Sequence, residues 1–433
     1  MKKIMLMVAV AFMTAMCFTS CGDDDSNNSS SDPTPDPTPD PTPTALTPAE
    51  EKEYLETTAK EFIGYFKAAD FDNINNIVRD LEKVDDADVI EDWLEDVIND
   101  IKEYLGETQE GYGYWTNVYT DYKLLLQVSQ FKGTFDGTSG EWERKTNTGN
   151  LTFKFKSGGE TCTAMVQGSG QTAKFKVGVE EDWTGYYSNT EYYDQNTIII
   201  VVPQTLTFTL TKGSNTVVSS TFNFNISGAD SEDYPSLSTI ADITGNVKVN
   251  DYEFVLDKIH AQNNSESTIS MTVKKSGKML IETSASATVK ASGAVDSEVK
   301  VRNVVDGAVQ VNILNKVQVK GTISDVMALS DYINEAEENE DDKSEVKNSI
   351  AKANRLLDIW LYNDSYGSKV AKTYLDYYKK ERYYGTIYQV CPILEFTDGT
   401  TYTFDEYFDE VTFSQVKRNF ENLVEDFEDL FDF

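Results

Sequence analysis

The sequence is poor in the residues that most enzymes need. It has one histidine, His260, in 433 residues. A single imidazole rules out paired-histidine zinc sites, two-histidine iron sites and the HExxH helix, and it leaves a Ser-His-Asp triad only one residue to be built on. No GxSxG turn occurs, and His260 follows Asp257-Lys258-Ile259 at the close of a strand-like run, where an ordinary strand-end histidine is the plain reading. Neither a GxxxxGKS/T loop nor a GxGxxG after a strand is present, so a nucleotide has no glycine-rich cradle. No acidic cluster has the ligand spacing and central glycine of an EF-hand loop. A carboxylate pair for glycoside hydrolysis is always available among 73 acids, but nothing marks one out. Together these absences lead us to expect a protein with no catalytic activity, no cofactor and no bound metal.

Basic residues are also scarce, 38 against 73 acids, for a formal net charge of −35. Residues 22–130 hold 27 acids and 7 bases, residues 131–325 hold 22 and 18, and residues 326–433 hold 24 and 11. A near-neutral middle therefore lies between two acidic flanks. A body of that sign repels phosphate backbones, which argues against a nucleic-acid partner, and stays soluble beside anionic lipid. Long apolar runs are missing too. Ile4 to Cys17 is a 14-residue uncharged stretch, too short to span a bilayer but suited to the apolar core of a signal peptide, and Met1-Lys2-Lys3 gives it a basic start.

The residues after that stretch sharpen the reading. Phe18-Thr19-Ser20-Cys21 is a small-residue cleavage site ending in cysteine, and residues 22–45 carry no apolar side chain larger than proline. Such a segment cannot bury enough surface to offset the entropy of ordering it, so it is expected to stay solvated. Residues 18–21 resemble the lipobox of bacterial lipoproteins, with Phe18 where leucine is commonest, and Gly22-Asp23-Asp24-Asp25 is similar to the acidic export signal of Bacteroidetes surface lipoproteins. The resemblance covers residues 1 to about 45. It implies a signal peptide over 1–20, acyl chains on Cys21, and a protein held to the outer membrane facing the cell exterior. Two or three acyl chains, at about 0.8 kcal/mol per buried methylene, anchor stably. The DPTP repeats of residues 21–46 then form a stalk, and at roughly 3.1 Å per residue Gly22 to Pro48 would reach roughly 80 Å when extended.

With Cys17 in the signal and Cys21 lipidated, Cys162 and Cys391 remain. They are either a disulfide, which for so long a loop would contribute on the order of 4 to 5 kcal/mol, or two unrelated buried thiols.

The folded body reads as α+β, a large twisted antiparallel sheet made of a meander of hairpins and covered by helices from both ends of the chain. Thr47-Pro48-Ala49-Glu50 is a capping box opening a helical segment over residues 47–130. Helices are expected near 48–66 and 71–81, from Val89 to Leu105, and from Tyr114 to about Gln130. Over 131–325 the apolar period changes to two, as in Leu151–Phe155, Leu206–Leu210 and Phe222–Ile226, with further strands at Asn246–Ile259, Met279–Val289 and Val309–Ile323. Within 326–433, helical spacing returns at Val326–Ala336 and from Val346 to Leu361. A hairpin turns at Asp398-Gly399, and Phe413 to Leu430 form a closing amphipathic helix. The acidic run Glu335–Asp342 reads as a solvated helix end.

One feature suited to binding remains. Residues 111–122, 182–196 and 374–388 hold more than half of the 24 tyrosines. Tyrosine and tryptophan offer flat apolar faces with a polar rim, suited to stacking on sugar rings or filling protein interfaces. The first and third stretches are more readily explained as packing. In the second, Gly, Ser, Asn and Asp between the rings suggest a loop, which makes Trp183, Tyr186, Tyr187, Tyr192 and Tyr193 the candidate contacts for a glycan or another surface protein. Two other readings stay open: carriage of an apolar ligand such as lipid between sheet and helices, and a purely structural or assembly subunit. The anchor is tested first: Cys21→Ala is expected to move the protein from the membrane fraction to the soluble one, and retention on membranes would refute lipidation at this residue.

Overall fold

A computed structural model describes residues 46–112, 114–228, 239–262, 265–289, 304–363, 367–382, 385–403 and 407. In chain order these form helices α1 (Pro48–Gly64), α2 (Asp72–Leu81) and α3 (Asp88–Ile101), then strands β1 (Lys102–Tyr112), β2 (Trp115–Gln127), β3 (Gly133–Asp136), β4 (Glu143–Thr146), β5 (Leu151–Ser157), β6 (Glu160–Ser169), β7 (Ala173–Tyr187), β8 (Thr190–Val202), β9 (Thr205–Lys212), β10 (Asn215–Ser227), β11 (Ile240–Val249) and β12 (Tyr252–Gln262). They continue with β13 (Glu266–Lys275), β14 (Lys278–Val289), β15 (Val304–Ile313), β16 (Val317–Ile323), helices α4 (Val326–Glu338) and α5 (Lys343–Ala353), and β17 (Leu357–Asn363), β18 (Ser368–Arg382), β19 (Gly385–Phe396) and β20 (Thr401–Thr403). The fold is α+β, and antiparallel pairing dominates it.

The chain divides into two compact units. The first combines the described residues up to Lys67 with those of 263–291 and those after 301. Its strands run in the order β20-β19-β18-β17-β16-β15-β14-β13, a meander of antiparallel neighbours. Helix α1 begins at the expected capping box: the Thr47 hydroxyl accepts the Glu50 N–H, and the Glu50 carboxylate accepts the Thr47 N–H at 2.8 Å. It lays Leu55, Ala59 and Ile63 on Val317, Val370, Leu394 and Phe396. Glu61 on the same helix pairs with Lys316 and with Lys278 (3.0 Å). Helices α4 and α5 start at Asp325 and Asp342, whose carboxylates accept backbone N–H groups. They bury Ala336, Val346, Ile350 and Ala353 against Leu375, Tyr377, Tyr388 and Val390.

The second unit holds the described residues of 68–262. Its meander runs β12-β11-β10-β9-β6-β5-β3-β4, antiparallel except where β3 lies parallel to β5. Ile74 and Ile77 of α2 and Trp93 of α3 meet Phe135, Trp142, Phe155, Cys162 and Leu210 in one core. Trp93 stands edge-on to Phe135 with ring centroids 5.0 Å apart. The acids of α3, Glu91, Asp92, Glu95 and Asp96, face water, as its apolar stripe requires.

Several expectations are corrected. Residues 114–130 are mainly strand β2, not a helix, and strand structure begins at Lys102, not 131. Trp115, Val118, Tyr119, Tyr122 and Leu126 match helical spacing, but the segment is rich in aromatic and β-branched residues and pairs with a distant strand, and that tertiary partner decides its state. Leu105 belongs to β1 and is exposed. The helix expected to reach Leu361 ends at Ala353, and Leu357–Asn363 becomes β17. The stretches 246–259 and 309–323 are hairpins, turning at Asn250 and at Leu314-Asn315, which all adopt positive φ. Domain boundaries at 130 and 325 do not match the units, because α1 packs on C-terminal strands while α2 and α3 pack elsewhere. The closing helix of 413–430 lies outside the described residues.

Each unit yields a stability test. Phe155→Ala removes a fully buried ring from the second core and is expected to cost about 3–5 kcal/mol. Denaturant unfolding followed by tryptophan fluorescence checks this, and a cost below about 1 kcal/mol would mean that the core is not packed as described. In the first unit, donors from Thr400, and then Lys52, hold the Asp398 carboxyl at about 2, below its ordinary 3.8. A lowered acid stabilises the fold fully above its unfolded value, and that contribution is lost as pH falls through the folded value. The difference in urea midpoint between the parent and Asp398→Asn is therefore expected to hold steady above about pH 4 and to close towards about pH 2.

Candidate functional site

Four strands of the second unit form a separate sheet in the order β1-β2-β8-β7. The β1/β2 and β7/β8 pairs are antiparallel hairpins, while β2 and β8 run parallel. The β7–β8 connection is Ser188-Asn189, both at positive φ (50° and 51°), the geometry a two-residue hairpin turn demands. The segment expected as a loop is thus the end of a long hairpin.

Residues directly opposite each other on neighbouring strands share a face, and alternate residues along a strand do too. The registers therefore define three rows on one face of this sheet. The outermost is Glu110, Asn117, Glu191 and Tyr186; the next is Thr108, Tyr119, Tyr193 and Trp183; the third is Gly106, Asp121, Gln195 and Glu181. Trp115 stands beyond the first row, its ring centroid 6.0 Å from that of Tyr186. Tyr119 and Tyr193 lie 5.4 Å apart with nearly parallel rings. Trp183, Trp115 and Tyr186 are 62%, 55% and 52% exposed, unusual for side chains of this size unless they meet a partner.

A backbone irregularity makes this face possible. Trp183 and Tyr186 are three residues apart, and strict alternation would put them on opposite faces. A bulge between Trp183 and Gly185 inserts one extra residue, so that Trp183 lies opposite Tyr193 and Tyr186 opposite Glu191. Tyr192 and Tyr187 fall on the reverse face, where Tyr192 lies opposite Gly185 and Tyr187 opposite Thr190. The five sequence candidates are therefore divided three and two. Trp115 and Tyr119, which by sequence alone pass for packing residues, join the three.

Polar groups on this face are tied to the rings. The Tyr193 hydroxyl donates to Glu191 (2.8 Å), which with burial raises its pKa above the ordinary tyrosine value. Asn117 Nδ2 donates to the Tyr119 hydroxyl (3.5 Å), and Gln195 Nε2 to Glu181 (2.9 Å). Asp121 Oδ1 is shielded from solvent and has no hydrogen-bond donor among the described residues. An aromatic row is thus bordered on both sides by carboxylates and amides, able to accept and donate hydrogen bonds along the edges of a ring stacked on it.

The other sequence candidates are not brought to this face. Cys162 on β6 and Cys391 on β19 belong to different units and are thiols, not a shared disulfide. Cys21 lies outside the described residues. Tyr377 and Tyr388 of the third aromatic stretch meet edge to face at 5.7 Å beneath α5, a packing role. His260 Nδ1 contacts Asp242 across the β11–β12 ladder at 2.7 Å. No group of three or more His, Cys, Asp or Glu side chains among the described residues is placed to hold a metal ion. No helix among them is long and apolar enough to cross a membrane.

Comparison of the chain with protein-family models, with curated proteins and with solved structures finds no match.

Proposed function

We propose that this protein is a non-catalytic surface lipoprotein, anchored in the outer membrane through Cys21, that binds glycans on the aromatic face of the β1-β2-β8-β7 sheet. One observation carries the reading: Tyr119, Tyr193 and Trp183 form a row across three strands, with hydrogen-bonding side chains in register on either side. A pyranose ring has a C–H face that stacks on an aromatic ring and a rim of hydroxyls that needs donors and acceptors in its plane, and the three rows offer both. The strands hold the side chains in place, so little order has to be imposed when the ligand arrives.

A shallow, open platform of this kind binds each ligand weakly. Display on a lipid anchor compensates, because many copies on one surface meet a polymeric glycan together and the later contacts form at high effective concentration. A solvated stalk reaching roughly 80 Å would let the copies tilt towards one chain. Carriage of an apolar ligand finds less support, since Ala336, Val346 and Ala353 are fully buried where α4 and α5 meet the strands.

The test is a glycan array probed with the stalk-free body. Trp183→Ala and Tyr193→Ala are each expected to weaken retention of neutral oligosaccharides about tenfold, in line with about 1–2 kcal/mol for a lost aromatic contact, whereas Tyr187→Ala, on the reverse face, leaves it unchanged. Equal losses from Tyr187→Ala and Trp183→Ala would rule out this face as the site.

A further inference from the structure

The charge around the aromatic row says more about the ligand than the rings do. This inference rests on the glycan-binding reading and names the class of glycan. The three rows carry four carboxylates, Glu110, Glu191, Asp121 and Glu181, and no cation. The next position in line on β2 beyond Asp121 is Lys123, which lies 4.0 Å from the Glu103 carboxylate on β1 and so faces an acid of its own. Lys102, near the inner end of β1, belongs to the reverse face, where it sits 3.9 Å above the Tyr122 ring and 3.1 Å from Asp194. The rest of the protein reinforces the sign, with a formal net charge of −35.

We infer that the platform selects glycans by charge: it takes neutral and amine-bearing pyranose chains and rejects those carrying uronate, sulfate or other anionic groups. Two of the carboxylates are fixed in place. Glu191 is held by the Tyr193 hydroxyl and Glu181 by the Gln195 amide, so neither swings away when a second negative charge approaches. An anionic ring stacked on Tyr193 and Trp183 would set its own charge beside both, with no guanidinium or ammonium in the three rows to pair with it. A neutral ring gives these same carboxylates hydroxyl donors, and hydrogen bonds to a charged acceptor are the stronger kind. An ammonium group on the ring gains the attraction of the carboxylates and of the aromatic faces together.

The experiment is an array of oligosaccharides matched in linkage and length and printed in three forms, neutral, amine-bearing and uronate-bearing, probed with the stalk-free body at low and at high salt. The expected order of retention is amine-bearing first, neutral next and uronate-bearing last, with at least about fivefold between neutral and uronate forms at low salt. That gap narrows at high salt, where screening shortens the reach of the carboxylates. It also narrows in a Glu181→Gln, Glu191→Gln double variant, whose amide oxygens still accept from Gln195 and Tyr193. Retention of the uronate form equal to or above that of the neutral one would overturn the charge selection and leave the platform standing. Failure to retain any oligosaccharide in any form would overturn the glycan reading and this inference with it. The salt series uses the unaltered protein, so the outcome does not depend on the variant folding.

Discussion

The parallel pairing of β2 with β8 is the constraint on which the candidate site depends. It sets Asn117 against Glu191, Tyr119 against Tyr193 and Asp121 against Gln195, joining two hairpins that are each incomplete as a binding surface. Parallel strands cannot be joined by a tight turn, so the chain between them must travel. Here it travels through β3, β4, β5 and β6, which belong to the large meander, and then through β7, the hairpin partner of β8. A one-residue slip in that register would exchange the faces of every side chain on β8 and send Tyr193 to the reverse side.

The bulge in β7 is the second requirement. Edge strands invite unwanted pairing, and bulges that twist an edge are a common protection against it. Strand β7 lies at the edge of its sheet and has two irregularities, one between Lys176 and Gly178 and one between Trp183 and Gly185. The outer one also re-aims Trp183 on to the face shared by Tyr193. One backbone feature thereby protects an exposed edge and completes the aromatic row.

Acidic side chains occur in two physical settings in the molecule. Helix α3 turns Glu91, Asp92, Glu95 and Asp96 to water while Trp93 enters the core, as an amphipathic helix does. In the four-stranded sheet the acids have a different setting, because they alternate in register with exposed rings. On the proposed reading they tune what approaches the platform. The net charge of the whole chain and the local carboxylates have the same sign, so on that reading long-range repulsion and short-range contact would discriminate against the same ligands.

Much of the fold was legible in the sequence. Local signals sufficed for α1, where Thr47, Pro48 and Glu50 form a cap, and for the hairpins whose turns carry Gly158, Gly213, Gly277 and Gly399, because glycine at positive φ leaves few alternatives. The stripe of α3 and the two-residue period of β5, β9 and β10 identified those elements for the same reason: neighbours along the chain determine them. Tertiary structure decided the remainder. Residues 114–127 match a helical and a strand pattern, and pairing with β1 and with the distant β8 selects the strand. The grouping of α1 with the C-terminal strands, the bulge that turns Trp183, and the joining of Trp115 and Tyr119 to the hairpin of Trp183 and Tyr193 all rest on contacts between distant segments. By itself the sequence determined which residues are apolar, acidic or aromatic and how each short stretch prefers to bend. Which aromatics share a face was left to long-range pairing, because the period of a strand fixes alternation but not the partner that gives it a register.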